Sequence, residues 1–346
     1  MRQLTFVKSN LLEWWDVPEP RIATDLEAIV RPLAVTRCDL DLLIATGGAG
    51  FEGPFAIGHE TSGIVTDVGD KVKSVVRGDL VIVPFQISCG ECASCRDGLP
   101  YACKSVPFRS SYGLKPVCGV DYGGALSDAL RVPFADHMLV KQPTGLPLSQ
   151  TASLADSATD AFAAVAPTLR ERPGAEVLVV GGRAQSLGVL VAHAALSLGA
   201  RRVVYLDSDK GRLAKANSLG AEVLEAATYD GMDPVGLFPL TIDADATVAS
   251  LGLAIRSVEP GGICQRMYGD FREATLVPLR HMYAMGVTLK IGRVNARARL
   301  PECLAHVTSG HYHPELMLTR RASFDDAPEA IRDPTMKVVF LREGIE

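Results

Sequence analysis

The sequence predicts a two-domain α/β protein, with a mostly β first domain and a second domain built on a doubly wound parallel sheet. Its 346 residues exceed what one ordinary hydrophobic core accommodates. Short β-branched runs broken by Gly and Pro fill residues 1–150, and strands alternate with helices from about residue 151. The predicted boundaries are 1–150 for the first domain, 151–294 for the second, and 295–346 for a return to the first.

The two predicted domains differ in local pattern. In the first, residues 64–68 and 80–83 indicate strands separated by turns that contain Gly and Asp. In the second, apolar residues recur at helical spacing over 152–166, and a buried strand at Val177–Val180 precedes a glycine turn. Further helices are predicted at 187–198 and 210–219, and further strands at 202–207, 221–224, 262–267 and 287–291. Such alternation with short links is typical of a parallel, doubly wound sheet.

The composition is that of a soluble globular protein, and the pattern of charged and apolar residues argues against nucleic-acid binding and against a membrane span. Hydrophobic residues make up 47% and charged residues 22%, and the formal net charge is −5. A nucleic-acid binder would need a basic face to neutralise phosphates. The most apolar stretch, 177–200, contains Arg183, Gln185 and His193, so it predicts a buried strand–turn–helix and not a membrane span. The first residues lack the apolar core of a secretory signal, and we expect a cytoplasmic protein.

Four of the eight cysteines fall in one short segment, at about residues 86–106, and predict a structural zinc site. They have the spacing C-x2-C-x2-C-x7-C and are Cys89, Cys92, Cys95 and Cys103. Zinc prefers four soft donors at tetrahedral corners, and four protein ligands leave no open position. The alternatives are free thiols in a polar loop or an iron–sulfur cluster, although the ferredoxin-type run has Pro where Lys104 follows the last cysteine.

A second motif carries a family resemblance. The segment GHETSG at residues 58–63, with glycine at 69 and valine at 72, resembles the signature of the zinc-containing medium-chain dehydrogenase/reductase family. The cysteine segment resembles that family's lobe, and the order of parts is the same: Cys38, the Gly-His-Glu motif, the lobe, and a nucleotide-binding fold. The resemblance covers essentially the whole chain. It implies a GroES-like catalytic domain, a Rossmann cofactor domain and zinc alcohol dehydrogenase activity.

The resemblance also implies a second, catalytic zinc. Its matching ligands are Cys38, His59 and Asp156, and Asp156 in place of Cys resembles the bacterial secondary-alcohol branch. Glu60 would lie behind the metal. Such a zinc keeps one position open and lowers the pKa of an alcohol, so that hydride can pass to NAD. Taken singly, these residues have plainer interpretations, namely a buried thiol, a satisfied polar pair and a helix-capping carboxylate.

The NAD site is predicted where Val177–Val180 leads through a glycine turn into a helix. The glycines of this turn are Gly181, Gly182 and Gly188. The turn is longer than G-x-G-x-x-G and has Arg183 where a small residue is usual, but N–H groups at the helix start can still meet a pyrophosphate. Asp207 ends the next strand, where a carboxylate accepts from both ribose hydroxyls and repels a 2′-phosphate, which favours NAD over NADP. Arg212 matches a position that contacts the adenosine ribose in the family, or is a solvated helix residue.

The chain departs from the family where the alcohol proton is usually relayed. Leu40 stands two residues after Cys38, where Ser or Thr is usual, and a hydrocarbon cannot carry a proton. Either water with Asp39 or Asp41 serves instead, or the chemistry differs from simple alcohol oxidation. Phe85 matches an aromatic wall of the substrate pocket or is a core aromatic.

The leading prediction is an NAD-dependent zinc dehydrogenase acting on a primary or secondary alcohol or a polyol, or on the corresponding carbonyl compound. One alternative is a zinc-free quinone or enoyl reductase of the same superfamily, which would have no use for the cysteine lobe. Another is a catalytically silent, cofactor-binding protein on the same scaffold. A homo-oligomer, either dimer or tetramer, is expected because both are usual in such families.

Overall fold

The computed structural model describes residues 1–267 and 273–345, and the chain forms two compact units. The first unit contains Met1–Thr159, Val294–Ser309 and the residues from 314 onwards, and the second contains Asp160–Arg293 with Gly310–His313. The sequence predicts residues 310–313 in the first domain, whereas the structure groups them with the second unit. Among the described residues, no helix combines the length and the apolar character needed to cross a bilayer.

The first unit opens with short strands and short helices. In chain order they are β1 (Arg2–Lys8), β2 (Leu11–Asp16), β3 (Ala28–Thr36), α1 (Asp39–Thr46), β4 (Phe55–Ala56), β5 (Glu60–Val68), β6 (Leu80–Val83), α2 (Ala93–Arg96), α3 (Lys115–Cys118), β7 (Leu130–Val132), α4 (Ala135–Met138), β8 (Val140–Lys141) and α5 (Leu148–Ala152). Turns of 3-10 helix lie at Pro100–Ala102 and Ser153–Ala155.

The second unit is entered through a long helix and then alternates strand and helix. Its elements are α6 (Ser157–Glu171), β9 (Val177–Val180), α7 (Leu187–Ser197), β10 (Val203–Asp207), α8 (Lys210–Ser218), β11 (Glu222–Glu225), β12 (Phe238–Asp243), α9 (Val248–Arg256), β13 (Val258–Arg266), α10 (Leu279–Met285) and β14 (Thr288–Ile291). The remaining elements belong to the first unit and are α11 (Ala296–Thr308), a 3-10 turn (Pro314–Met317), β15 (Arg320–Ser323), α12 (Ala327–Ala330) and β16 (Val338–Leu341).

Two sheets organise the first unit. A small sheet has the order β2-β1-β4, and a larger one has the order β15-β16-β3-β5-β6-β8, with β7 paired to β3. The long antiparallel pair of β3 and β5 brings Thr36 opposite Glu60. Apolar side chains from these strands form one buried cluster, which includes Phe6, Phe55 and Phe340. Each fully buried large apolar side chain contributes about 1.5–3 kcal/mol to stability. This cluster therefore holds β3 and β5 in place, the strands that carry Thr36 and Glu60.

One six-stranded parallel sheet organises the second unit. Its order is β11-β10-β9-β12-β13-β14, and every neighbouring pair is parallel. The order reverses beside β9, so the loops after β9 and β12 meet at a switch point, where doubly wound sheets bind ligands. The predicted fold class, a mostly β domain followed by a doubly wound α/β domain, is confirmed.

Candidate metal and cofactor sites

The four cysteines of the lobe converge. Their four Sγ atoms all lie within 4.8 Å of one another, and the residues are Cys89, Cys92, Cys95 and Cys103. Cys95 is carried by the short helix α2, and Cys103 directly follows the turn Pro100–Ala102. The two-residue spacers therefore bring the sulfurs together, and the set matches the four soft donors that a closed zinc site requires.

Backbone N–H groups surround the sulfurs of this lobe. The Cys92 N–H donates to Cys89 Sγ at 3.3 Å, and the Lys104 N–H donates to Cys92 Sγ at 3.4 Å. The Ser105 hydroxyl also donates to Cys89 Sγ at 3.1 Å. These donors favour thiolates at Cys89 and Cys92, and the Lys104 N–H in particular holds the pKa of the Cys92 thiol at about 6. Burial raises the pKa of the Cys95 and Cys103 thiols, which a bound cation would offset. The lobe is therefore suited to a metal that binds thiolate sulfur.

A second cluster joins Cys38, His59 and Asp156, whose ligand atoms also lie within 4.8 Å of one another. The three residues come from separate segments: Cys38 precedes α1, His59 precedes β5, and Asp156 lies between the turn Ser153–Ala155 and α6. Gly58 sets the direction of His59 by adopting φ +90°, where a side chain would also press on Leu126. The structure thus brings together the three residues that the family resemblance implied.

The electrostatics of this cluster favour a cation. Burial and the nearby Asp156 carboxylate raise the pKa of the Cys38 thiol. Burial alone would lower the pKa of His59, but the carboxylates of Asp41 and Asp156 outweigh it and hold that pKa well above its usual value. Asp156 Oδ2 lies 3.3 Å from His59 Nε2, while its buried Oδ1 accepts no hydrogen bond from any described residue. A divalent ion would satisfy that oxygen and stabilise the thiolate, so the donor set fits zinc.

Asp41 contacts His59, which differs from the role that the sequence suggests for it. The sequence suggests Asp41 as a substitute for the missing proton relay, but its side chain is buried, with Oδ1 lying 3.2 Å from His59 Nδ1. Its other oxygen accepts the Cys38 N–H at 3.0 Å. Because one ring nitrogen faces this carboxylate, the other faces the cluster, which is the usual arrangement behind a metal-binding histidine. The available signal was an acid three residues after Cys38, the residue that caps the start of α1.

Glu60 lies behind the cluster, paired with a residue that the sequence did not single out. Glu60 Oε2 lies 2.8 Å from Lys337 Nζ and accepts the Thr36 hydroxyl at 2.5 Å, and both members of the pair are fully buried. Lys337 also donates to the Arg37 carbonyl and to Ser157 Oγ. Burial raises the pKa of Glu60, and the Lys337 ammonium opposes that rise. Lys337 therefore ties Glu60 to the segments that carry Cys38 and Asp156.

Two apolar residues border the cluster. The ring of Phe85 lies 5.3 Å from the His59 ring, and the Phe85 N–H donates to the Ala155 carbonyl next to Asp156. Leu40 is half-buried and packs on the core of the first unit, so its position offers no proton-carrying group. Phe85 thus borders the His59 imidazole and the segment that carries Asp156.

The glycine turn of the second unit joins β9 to α7. Gly182 adopts φ +146°, and a Cβ there would lie 2.1 Å from Asp245 Oδ1. The same carboxylate accepts the Arg183 N–H at 2.9 Å. Gly181 and Gly188 pack against the Tyr205 ring, so a side chain at either would collide with it or be crowded by it. The turn is therefore compact enough for backbone to approach a ligand, which fits a dinucleotide.

Asp207 and Arg212 form a closed ion pair next to that turn. Arg212 Nε donates to Asp207 Oδ2 and Nη2 to Asp207 Oδ1, both at 2.8 Å. Asp207 is fully buried, and burial would raise its pKa, but Arg212 and the Tyr205 hydroxyl hold that pKa below its usual value. The plain interpretation of Arg212 as a solvated helix residue is not what the structure shows, because its side chain is only 10% exposed.

Comparisons with known proteins agree with this arrangement. Residues 24–144 match the family model described as the alcohol dehydrogenase GroES-like domain. A probable zinc-binding alcohol dehydrogenase from Mycobacterium tuberculosis is 30% identical over 90% of this chain and 79% of its own length. An L-idonate 5-dehydrogenase from Vitis vinifera is 28% identical over 80% of this chain and 75% of its own length.

Solved structures show the same likeness over the full length. The alcohol dehydrogenase TADH from Thermus sp. ATN1 superimposes with a TM-score of 0.89 at 28% identity, and the match covers 99% of this chain and 100% of that one. Galactitol-1-phosphate dehydrogenase from Escherichia coli shares the fold, with a TM-score of 0.81 at 19% identity over 99% of this chain and 100% of that one. With both cysteine-containing clusters assembled in the first unit, the chain belongs to the zinc-type alcohol dehydrogenase family.

Proposed function

We propose that this protein is a zinc-dependent oxidoreductase that transfers hydride between an alcohol and NAD. The substrate class is a primary or secondary alcohol or a polyol, together with the corresponding carbonyl compound. The observation that carries the proposal is the convergence of Cys38, His59 and Asp156 from three separate segments on one buried point. Zinc-free reductases would have no use for such a set, and a silent scaffold would have no need to keep it.

The proposed catalytic metal is bound by Cys38 Sγ, His59 Nε2 and an oxygen of Asp156. A zinc ion there would supply a Lewis acid that lowers the pKa of an alcohol hydroxyl. The protein's own residues orient this set. Asp41 Oδ1, 3.2 Å from His59 Nδ1, would favour the tautomer that leaves Nε2 free for metal, and Lys337 neutralises Glu60, so that this carboxylate adds no uncompensated charge beside the thiolate.

The proposed cofactor is NAD, bound at the switch point of the second unit. Gly181, Gly182 and Gly188 would let the backbone approach the pyrophosphate, whose charge the N-terminus of α7 favours. The adenosine ribose would lie near Asp207 and Arg212, beside the end of β10. Phe85, next to His59, would border the substrate and exclude water from the reacting carbon.

The four-cysteine lobe is proposed to bind a structural zinc, giving two zinc ions per chain. Thiolates that bind metal persist best in a reducing compartment, which supports a cytoplasmic location. A homo-oligomer is also proposed. Helix α10 and the outermost strand β14 expose large apolar side chains, with Tyr283 91% and Leu279 69% exposed, and such a patch marks an interaction surface. Size-exclusion chromatography with light scattering would test the assembly.

The deciding experiment combines metal analysis with a substrate panel. Purified protein is expected to contain two zinc ions per chain and to reduce NAD with at least one class among primary alcohols, secondary alcohols and polyols. His59→Ala should abolish turnover and lose one zinc, while the matched control His311→Ala, at an exposed histidine, should leave both unchanged. Protein that is free of zinc, or normal turnover in His59→Ala, would overturn the proposal.

A further inference from the structure

The Asp207 carboxylate already has four donors inside its own unit. Oδ1 accepts the Asp209 N–H at 2.9 Å and Arg212 Nη2 at 2.8 Å. Oδ2 accepts the Tyr205 hydroxyl at 2.6 Å and Arg212 Nε at 2.8 Å. An ionised carboxylate offers about four acceptor sites in all. Asp207 is therefore saturated, and a ribose diol would find no acceptor there without displacing one of these groups.

The charge of Asp207 is likewise compensated where a ribose would approach. The bidentate guanidinium of Arg212 places a full positive charge at hydrogen-bond distance from the Asp207 carboxylate. Arg212 Nη1 also donates a hydrogen bond to Gln185 Oε1 at 3.1 Å. Gln185 lies in the glycine turn, and Arg212 is fixed at the start of α8 by the bond from its own N–H to Asp209. The groups that bridge from this pair to the turn are thus a guanidinium edge and an amide, both able to donate hydrogen bonds.

We propose that Arg212 and Gln185, rather than Asp207, contact the 2′-position of the adenosine ribose, and that this subsite accepts a 2′-phosphate as well as a 2′-hydroxyl. The inference rests on the proposed function, because it takes a nicotinamide dinucleotide as the cofactor. Asp207 is a positioning residue that holds the guanidinium in place. Arginine presents a planar, donor-only fork that suits phosphate oxygens, and the neutralised carboxylate has little charge left with which to repel them.

This inference differs from the prediction made from sequence. An open carboxylate at the end of β10 would weaken binding of a 2′-phosphate by about 100-fold or more, because like charges a few ångströms apart repel strongly. The sequence predicts an open carboxylate at Asp207, because nothing in the local sequence shows that Arg212 and Tyr205 both donate to it. Discrimination against the 2′-phosphate should accordingly be weak in the native protein.

Calorimetric titration with two adenosine fragments tests the proposal without requiring turnover. The fragments are 5′-AMP and adenosine 2′,5′-bisphosphate, which differ only at the 2′-position, and NADH and NADPH are titrated in parallel. The native protein should bind the two fragments within about tenfold of each other, since the pair is nearly neutral. Arg212→Gln uncovers the Asp207 charge and should weaken the bisphosphate about 100-fold relative to 5′-AMP. Lys215→Gln, which removes another cation from α8, should change neither fragment.

A double variant without the charges of Asp207 and Arg212 controls for a folding defect in Arg212→Gln. Arg212→Gln leaves a buried carboxylate unpaired, whereas the double variant Asp207→Asn/Arg212→Gln removes both charges. Relative to Asp207→Asn alone, this double variant should lose about tenfold in affinity for the bisphosphate and little for 5′-AMP. A native protein that binds 5′-AMP more than about 100-fold more tightly than the bisphosphate would overturn the inference, as would variants that weaken both fragments equally. If neither fragment nor either dinucleotide binds, the cofactor assignment itself fails.

Discussion

Replacing Lys337 by Met should destabilise the first unit strongly. Methionine keeps the length and apolar stem of the side chain but removes the ammonium that neutralises Glu60 at 2.8 Å. Both side chains are fully buried, so water cannot compensate the carboxylate that is left behind. Thr36 Oγ1 and the Ser157 N–H still donate to Glu60, but neither carries a charge.

The magnitude follows from the burial of the pair. Removing one partner of a buried ion pair costs about 3–5 kcal/mol in the free energy of unfolding. The matched control is Lys71→Met, which breaks the exposed pair with Asp25, in which the side chains are 71% and 53% exposed; that loss should be about 0–1 kcal/mol. Adding Glu60→Gln to Lys337→Met removes the unpaired charge and should recover about half of the loss.

The loss should also depend on pH. Burial raises the pKa of Glu60, and without Lys337 that rise loses the larger of the two opposing charges, with only His59 still lowering the pKa. A carboxyl whose folded pKa lies above its unfolded pKa binds more protons when folded, so its contribution to stability falls as pH rises. Urea unfolding followed by circular dichroism, at about pH 5.5 and about pH 8, should show the larger deficit at the higher pH. A deficit below about 1 kcal/mol, or no recovery in the double variant, would refute this reasoning.

Three further outcomes are expected. Cys95→Ser should lose one zinc per chain and lower the melting temperature, because a closed site stabilises its fold; zinc analysis showing two ions would contradict this. Asp41→Asn should weaken metal binding at His59 by about 10–100-fold, measured by chelator competition, while metal at the lobe is retained. Burial and Arg297 lower the pKa of His137 to about 4, so its neutral form stabilises the fold, and that contribution is lost as pH falls from about 6.5 towards 4. His137→Leu should therefore show a smaller drop in melting temperature between about pH 7 and about pH 5 than the native protein, and equal drops would count against it.

The parts of the site that sequence predicts well are those set by local spacing or by a family pattern. The lobe is one example. Its cysteines lie so close in the chain that most compact backbone conformations of the segment keep their sulfurs near one another. Lys337 is the opposite case. It meets Glu60 only because β16 and β3 are paired, and nothing near residue 337 in the sequence distinguishes it from a surface lysine. Long-range pairing of this kind leaves no local pattern.

The fold shows the same limit. Strand β12 lies in the middle of the parallel sheet between β9 and β13, yet no strand is predicted there from the sequence. Its second residue is Pro239, and proline is atypical of a central strand. The register of β12 against β13 shifts between Phe238 and Leu240, which accommodates the missing N–H. The helix predicted over 152–166 is interrupted at Asp156. That interruption brings Asp156 close to Cys38 and His59, and periodicity alone cannot reveal it.

The contrast between the two sets of metal-binding side chains has a consequence for biosynthesis. The four thiols of the lobe span residues 89–103, so a nascent chain could capture an ion once this segment has left the ribosome. The other set is complete only after Asp156 has been made and β3 has paired with β5 to align Cys38 with His59. Ion uptake should therefore be sequential, with the local site loading during translation and the second ion arriving only at a finished domain.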